Sequence, residues 1–237
     1  MNDHENFVGK SLRVFISYSK LNGVLAREIQ LELKRYGIEV FLAHEDIPPC
    51  SKWEDVMFSS LKQTDVVILL LTNEFKESSW CDQETGIAVA TEKFIIPLKV
   101  EINPYGFVAK HQALKFSYDI TITNASGTSF SGCENVCLEI IKLIAAKDEL
   151  RENLKGSLIN GFDKSNTYSN SSRIAQTLNM FSDFSKEQAT QIVYAGATNR
   201  QNYQARGTKD FLKKILSEYK EKIPEEIKSL LNEKLSS

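Results

Sequence analysis

The sequence has no long apolar run and no excess of either charge. Its 237 residues contain no stretch that approaches a membrane span, and residues 1–6 are polar, unlike a secretory signal. Lys and Arg number 29 against 31 Asp and Glu, which gives a net charge of −2. Overall charge therefore gives no indication of binding to nucleic acid or to an acidic surface. We expect a cytoplasmic protein that binds neither nucleic acid nor membranes.

The sequence is also poor in cysteine and in glycine-rich motifs. Only Cys133 and Cys137 of the four cysteines are close together, and a CxxxC pair without a second ligand pair does not favour zinc. Neither a Gly-x-Gly-x-x-Gly fingerprint nor a phosphate-binding lysine loop is present. The sequence predicts reduced thiols, no metal site and no bound cofactor.

Short apolar runs alternate with helical patterns along residues 11–150. Five runs are predicted as strands, at 12–17, 38–42, 65–71, 94–100 and 116–122. Pro97 predicts that the fourth strand ends near this residue or lies beside a bulge, and the alternating fifth run predicts an edge strand. Helices are predicted between the strands and over 132–150. This alternation indicates an α/β fold with a parallel sheet.

The remainder of the chain changes character. Residues 155–172 are rich in Gly, Ser and Asn, which predicts a linker or an ordered loop. Helical patterns follow at 172–180, 185–197, 208–219 and 224–235. Ser185 and Gln188 have the spacing of a helix-start box. We expect a small C-terminal helical unit with mixed charge.

One stretch combines several chemical signals, the sequence SSWCDQE at 78–84. It follows a buried strand, and Ser78 or Ser79 can cap a helix that begins there. Trp80 and Glu84 are four residues apart, so a helix places the indole and the carboxylate on one face. Ligands of open α/β sheets bind beyond the carboxyl ends of the strands, where this helix starts. Taken alone, the stretch favours a core tryptophan with a solvated glutamate over a chemical site.

Three segments together resemble the signature boxes of the Toll/interleukin-1 receptor (TIR) domain. They are VFISYS at 14–19, VFLAHEDI at 40–47 followed by Trp53, and SSWCDQE at 78–84. Their order, spacing and strand–loop–helix setting agree with the family over roughly residues 11–147. The chain is most similar to TIR proteins of bacteria. Ala43 stands where the family often has an acid, and the first loop lacks its usual Asp.

The resemblance implies both an architecture and a choice of functions. It implies a TIR domain over 11–150 with a flavodoxin-like five-stranded parallel sheet, order 2-1-3-4-5, flanked by helices. Residues 151–171 would then be a linker or ordered loop, and 172–237 the small helical C-terminal unit of unknown role. Some members of the family cleave NAD to nicotinamide and ADP-ribose or a cyclic form, while others are non-catalytic modules that assemble through TIR–TIR contacts.

Trp80–Glu84 matches the Trp-x-x-x-Glu motif of the NAD-cleaving members, which implies that Glu84 is catalytic. One carboxylate suffices for this chemistry, because nicotinamide leaves from a cationic pyridinium as a neutral molecule and needs no general acid. Glu84 would accept hydrogen bonds from ribose hydroxyls and stabilise the positive charge that develops on the sugar. NAD is then a substrate, and no further cofactor is required.

The other residues predicted to bind substrate are less distinctive. They are Trp80, Phe15, Ser17, Ser19, Asp46 and Trp53. Each has a structural alternative: core packing for the aromatic residues, turn formation for the serines, and a solvated loop for the aspartate.

Three functions remain open on the sequence. The first is an NAD-consuming enzyme of antiphage defence, with a possible effector protein that reads a cyclic product. The second is a non-catalytic TIR interaction module. The third is a nucleoside ribosyl-transfer enzyme of a related fold, which leaves the 44–49 loop unexplained. The resemblance also implies self-association through the loop at 44–50, which its two prolines pre-shape.

Overall fold

The computed structural model describes residues 11–43, 53–123 and 127–236. By their contacts, these residues divide into two compact units. One comprises Leu12–Lys34 and Glu39–Leu150, and the other comprises Arg35–Ile38 and Arg151–Ser237. No helix in the described ranges is long and apolar enough to cross a membrane.

The first unit is built on a parallel five-stranded sheet in the predicted order, β2-β1-β3-β4-β5. Its strands are β1 (Arg13–Ser17), β2 (Glu39–Leu42), β3 (Val66–Leu71), β4 (Phe94–Lys99) and β5 (Leu114–Lys115). Its helices are α1 (Gly23–Arg35), α2 (Trp53–Gln63), α3 (Asn73–Lys76), α4 (Ser79–Ala90) and α5 (Cys133–Ala145). Every residue of β3 is buried, as expected for a central strand covered on both faces.

Strand β4 does not end at its proline, so the predicted end or bulge near Pro97 is wrong. Pro97 lies inside the strand and pairs in register with Leu69 of β3. The backbone carbonyl of Lys99 accepts a hydrogen bond from the Phe116 amide on the β5 side. The backbone nitrogen of Pro97, two residues earlier in the strand, faces the same side. The short β5 pairs only with Leu98 and Lys99, so the missing N–H of Pro97 falls where no strand needs it.

The fifth strand is also displaced from its predicted position. The sheet takes only Leu114–Lys115, while β6 (Asp119–Thr123) pairs antiparallel with β7 (Gly127–Ser131) in a separate hairpin. Alternation of apolar and polar residues is typical of any strand with one covered face, so it could not distinguish a sheet edge from a hairpin. The expected strand over 116–122 is therefore wrong in its bounds and its partner.

Helical structure continues where the sequence predicted a linker over 151–171. Helix α6 (Asp148–Asp163) follows α5 after a break at residues 146–147, and α7 begins at Tyr168. Leu154, Leu158 and Phe162 recur every four residues and are fully buried, so they form the apolar stripe of a helix. The composition indicated a loop, but its small residues lie where backbones pack closely, as Gly161 does.

Over the described residues, every regular element of the C-terminal unit is a helix. Beyond α6 it contains α7 (Tyr168–Leu178), α8 (Lys186–Thr198), α9 (Arg200–Gln204), α10 (Arg206–Glu218) and α11 (Glu225–Ser236). The predicted capping box of α8 is present, with Ser185 and Gln188 each bonded to the backbone of the other. Lys155 is buried in this unit, and its Nζ donates to the Asp183 carbonyl at 2.7 Å.

We expect Gly161→Ala to lower the free energy of unfolding of the chain. A Cβ at Gly161 would lie 2.7 Å from the Tyr36 carbonyl carbon and 2.8 Å from the Gly37 nitrogen, both backbone atoms that cannot move aside cheaply. Such overpacking typically costs about 1–3 kcal/mol. Urea denaturation followed by circular dichroism measures the loss.

Gly86→Ala is the matched control, because a Cβ at Gly86 meets no atom within 4 Å. Since alanine favours helices over glycine, this variant should gain up to about 1 kcal/mol. Equal stability of the two variants would contradict the close backbone contact.

Candidate active site

The candidate site lies at the start of helix α4, beyond the carboxyl end of β3. Ser78 caps the helix as predicted, with its hydroxyl oxygen accepting from the Cys81 amide at 3.4 Å. Thr72 caps the preceding short helix α3 through the Phe75 amide at 3.1 Å. Two successive capped starts fix the path of the chain, and α4 is thereby held against β1.

Glu84 is the centre of this site. It lies in the second turn of α4 with no exposed surface. The Ser17 hydroxyl, at the carboxyl end of β1, donates a hydrogen bond to Oε2 of Glu84. The other oxygen, Oε1, is buried and has no hydrogen-bond partner among the described residues. A buried carboxylate oxygen without a donor is unfavourable, and such atoms in native proteins commonly mark functional positions.

The environment changes the protonation of Glu84. Burial disfavours the charged form and raises the pKa of Glu84 from 4.5 to about 7, while the hydrogen bond from Ser17 acts in the opposite direction. The carboxyl therefore titrates near neutral pH. Carboxyl groups with strongly shifted pKa values cluster at functional sites, although buried groups with a structural role also have shifted pKa values.

A thiol lies one helical turn before the carboxylate. Cys81 is fully buried, and burial raises its pKa to about 11, with a smaller contribution from the negative charge of Glu84. Since the thiolate is the reactive form, Cys81 is held as an unreactive neutral thiol at neutral pH.

The loop after β4 is attached to the rim of this region by two hydrogen bonds. The Tyr105 hydroxyl donates to Oδ1 of Asp82 at 2.8 Å, and the Asn73 amide donates to Oε2 of Glu101 at 2.7 Å. Burial, followed by the hydrogen bond to Asp82, raises the pKa of Tyr105. These contacts hold the loop against the starts of α3 and α4.

The other predicted substrate contacts occupy different environments. Phe15 has no exposed surface, and its ring stacks on Phe41 with centroids 5.5 Å apart, so the structure places it in the core. Ser19 is buried and precedes a 3-10 turn without capping it through its side chain. Trp80 is half-buried in the first turn of α4. A substrate contact by any of these three residues stays a prediction.

Two predicted contacts cannot be placed at the site. Asp46, like the whole 44–50 loop expected to mediate self-association, lies outside the described residues. Trp53 begins helix α2, but its side chain is outside the described part of the structure. Among the described residues, no group of three or more His, Cys, Asp or Glu side chains could hold a metal ion.

Sequence reasoning did not assign Cys81 or Tyr105 to the site. The sequence contained a signal for Cys81, since a spacing of three residues places Cys81 beside Glu84 on a helix. Tyr105 had no such signal, because its contact with Asp82 depends on the path of the loop after β4.

Comparison with known proteins adds a family to this geometry. The family model of the TIR domain matches residues 14–126. Among solved structures, the chain is similar to the TIR domain of the Toll-related receptor TRR-2 from Hydra magnipapillata. That similarity has 19% sequence identity and a TM-score of 0.39, and covers 43% of this chain and 82% of the Hydra chain. No curated protein gave a match. The predicted TIR domain is confirmed by the family model, and the chain carries it over residues 14–126.

Proposed function

We propose that this protein cleaves the bond between nicotinamide and ribose in NAD, as a TIR-domain NAD nucleosidase. The products would be nicotinamide together with ADP-ribose or a cyclic ADP-ribose signal. We further propose that the activity serves antiphage defence, with a cyclic product read by a separate effector protein.

The observation that carries this proposal is the burial and incomplete hydrogen bonding of the Glu84 carboxyl. It is buried beyond the carboxyl edge of a parallel sheet, one oxygen is held by Ser17, and the other has no donor among the described residues. A ligand with hydroxyl groups would satisfy that oxygen. Ribose is such a ligand, and Glu84 ends the Trp-x-x-x-Glu motif of NAD-cleaving members of the family.

The chemistry needs only what Glu84 can supply. As the bond between the ribose C1′ and the pyridinium nitrogen breaks, its electron pair stays with nicotinamide, which leaves neutral. The ribose gains oxocarbenium character, and an ionised Glu84 stabilises that charge in a low-dielectric site. Water then adds to C1′ and loses a proton to give ADP-ribose, or an adenine nitrogen adds to give a cyclic product.

The test is incubation of the purified full chain with NAD, followed by chromatography of nicotinamide and all ADP-ribose products. We expect wild type to release nicotinamide and Glu84→Ala to release none. Retention times distinguish hydrolysis from cyclisation. Because TIR domains self-associate, the assay is run over a range of protein concentrations and with a crowding agent. Absence of cleavage under every condition would contradict the proposal.

One observation favours the alternative of a non-catalytic interaction module. Glu84 has no exposed surface, and a module that performs no chemistry needs no access to it. This alternative predicts that Glu84→Ala leaves binding to other TIR proteins unchanged. Both readings predict that Glu84→Ala keeps its self-association in light scattering, since we propose that assembly uses the 44–50 loop rather than Glu84. Nicotinamide release separates them, because a non-catalytic module releases none even as the assembled wild type.

A further inference from the structure

We propose that Ser17 is a positioning residue: its hydroxyl holds Oε2 of Glu84, so that Oε1 is the oxygen presented to the ligand. This inference deepens the proposed function and rests on it for the identity of the ligand. The positioning itself is a property of the free protein, and it can be measured without any substrate.

The support of Ser17 is rigid. Ser17 is the last residue of β1, which is paired with β2 on one side and β3 on the other, and it stands in register with Leu69. It has no exposed surface. A hydrogen bond from such a residue restricts the Glu84 side chain to one orientation. Functional groups must be held in this way by neighbouring side chains if their geometry is to suit the ligand.

The Ser17 hydroxyl has no second proton with which to donate a hydrogen bond to a substrate. A serine hydroxyl has one proton to donate, and here that proton goes to Glu84. A ribose or amide oxygen of a substrate would have to displace that bond. The expectation that Ser17 contacts substrate is therefore replaced by an action through Glu84.

The same hydrogen bond favours the ionised form of Glu84, because a donor stabilises the carboxylate more than the neutral acid. The elements packed against α4 are β1, α2, α3 and the turn Gly106–Val108. Among the described residues, the Cys81 thiol is a titratable neighbour of Glu84. The described charged groups on the packed elements include four that are engaged elsewhere: Glu74 with Asn22, Lys76 with the Tyr105 ring, Lys62 with the Phe58 ring and Arg13 with Glu39. Asp55 of α2 is exposed.

The first test is the pH dependence of unfolding of the full chain, measured by urea denaturation between pH 4 and pH 9. A buried Glu84 makes stability fall as pH rises above 4.5, and the fall levels off at the folded-state pKa, which is the midpoint of the Glu84 titration in the folded protein and lies near 7 in wild type. In Ser17→Ala we expect this folded-state midpoint, and with it the pH at which the fall levels off, to move up by about one pH unit, since one hydrogen bond to the charged form is lost. An unchanged midpoint would overturn the proposal.

A double variant shows whether Ser17 acts through Glu84. In a Glu84→Gln background the pH-dependent fall should be absent, and Ser17→Ala should then leave the pH profile unchanged. The same shift in that background would overturn the proposal. Ser17→Thr retains the hydroxyl and should restore the wild-type midpoint, which separates loss of the hydrogen bond from loss of packing.

Kinetics with NAD supply the second test. Ser17→Ala should lower kcat at pH 7 by about tenfold, leave KM nearly unchanged and move the acid limb of the pH profile to higher pH. A raised KM with an unchanged kcat would indicate direct substrate contact and overturn the positioning role. If wild type cleaves no NAD while the midpoint still moves as expected, the proposed function fails and the positioning of Glu84 stands.

Discussion

Glu84→Gln is expected to slow NAD cleavage by on the order of 10³-fold, the upper range for loss of one preorganised electrostatic group. Glutamine has nearly the same shape as glutamate, and its amide oxygen can still accept the hydrogen bond from Ser17. The substitution therefore removes the negative charge and little else. Because that charge is proposed to act on the transition state, kcat should fall while KM changes little.

The rate is followed by nicotinamide release, with Glu77→Gln as the control. Glu77 is exposed and follows α3, a few residues before the site. That variant should keep wild-type activity. A Glu84→Gln protein that retained more than a tenth of the wild-type rate would argue against carboxylate catalysis.

The same substitution is expected to stabilise the protein at alkaline pH. The folded-state pKa of Glu84 is raised from 4.5 to about 7, so the folded protein holds this proton more tightly than the unfolded chain does. Below pH 4.5 both states are protonated and burial of this group carries no charge penalty. As pH rises towards 7 the unfolded chain ionises first, and wild-type stability falls. Above pH 7 the loss is complete, at about 3 kcal/mol.

Glutamine carries no charge at any pH, so Glu84→Gln should escape this loss. We expect the variant to match wild type near pH 4.5 and to exceed its free energy of unfolding at pH 8 by up to about 3 kcal/mol. Urea denaturation at the two pH values measures the difference. Glu77→Gln should stay within about 0.5 kcal/mol of wild type at both, as is usual for surface changes. A gain of equal size at both pH values would show that charge burial is not its cause.

Lower activity and higher stability of the Glu84→Gln variant would then both arise from the loss of a single charge. A carboxylate that is buried and only partly satisfied destabilises the folded protein, and it persists where function requires it. If Glu84 were simply a structural residue, a neutral side chain of the same size would serve better at this position.

The central part of the fold could be predicted from the sequence because its elements have strong local signals. The fully apolar β3 and the capped start of α4 required no knowledge of the rest of the chain. The site residue Glu84 was predicted from its spacing to Trp80 and from the family motif. Its partner Ser17 was predicted to lie nearby, since both belong to the carboxyl edge of the sheet.

Other features depended on contacts between distant residues. Gly161 indicated a loop by composition, yet it is required because the backbone of Tyr36 and Gly37 lies against it. Pro97 suggested the end of a strand, and only the short length of β5 makes it acceptable. The hydrogen bond that joins Ser17 to Glu84 and leaves one oxygen unpartnered is likewise a tertiary feature, with no counterpart in a sequence pattern.

The raised pKa of Glu84 makes the proposed activity sensitive to acid. At pH 7 about half of the free protein carries a proton on this carboxyl, and only the ionised half can stabilise the positive ribose. Acidification by one pH unit would lower this active fraction, and with it the rate, several-fold with no change in any contact, so ambient acidity itself becomes an inhibitor of the site.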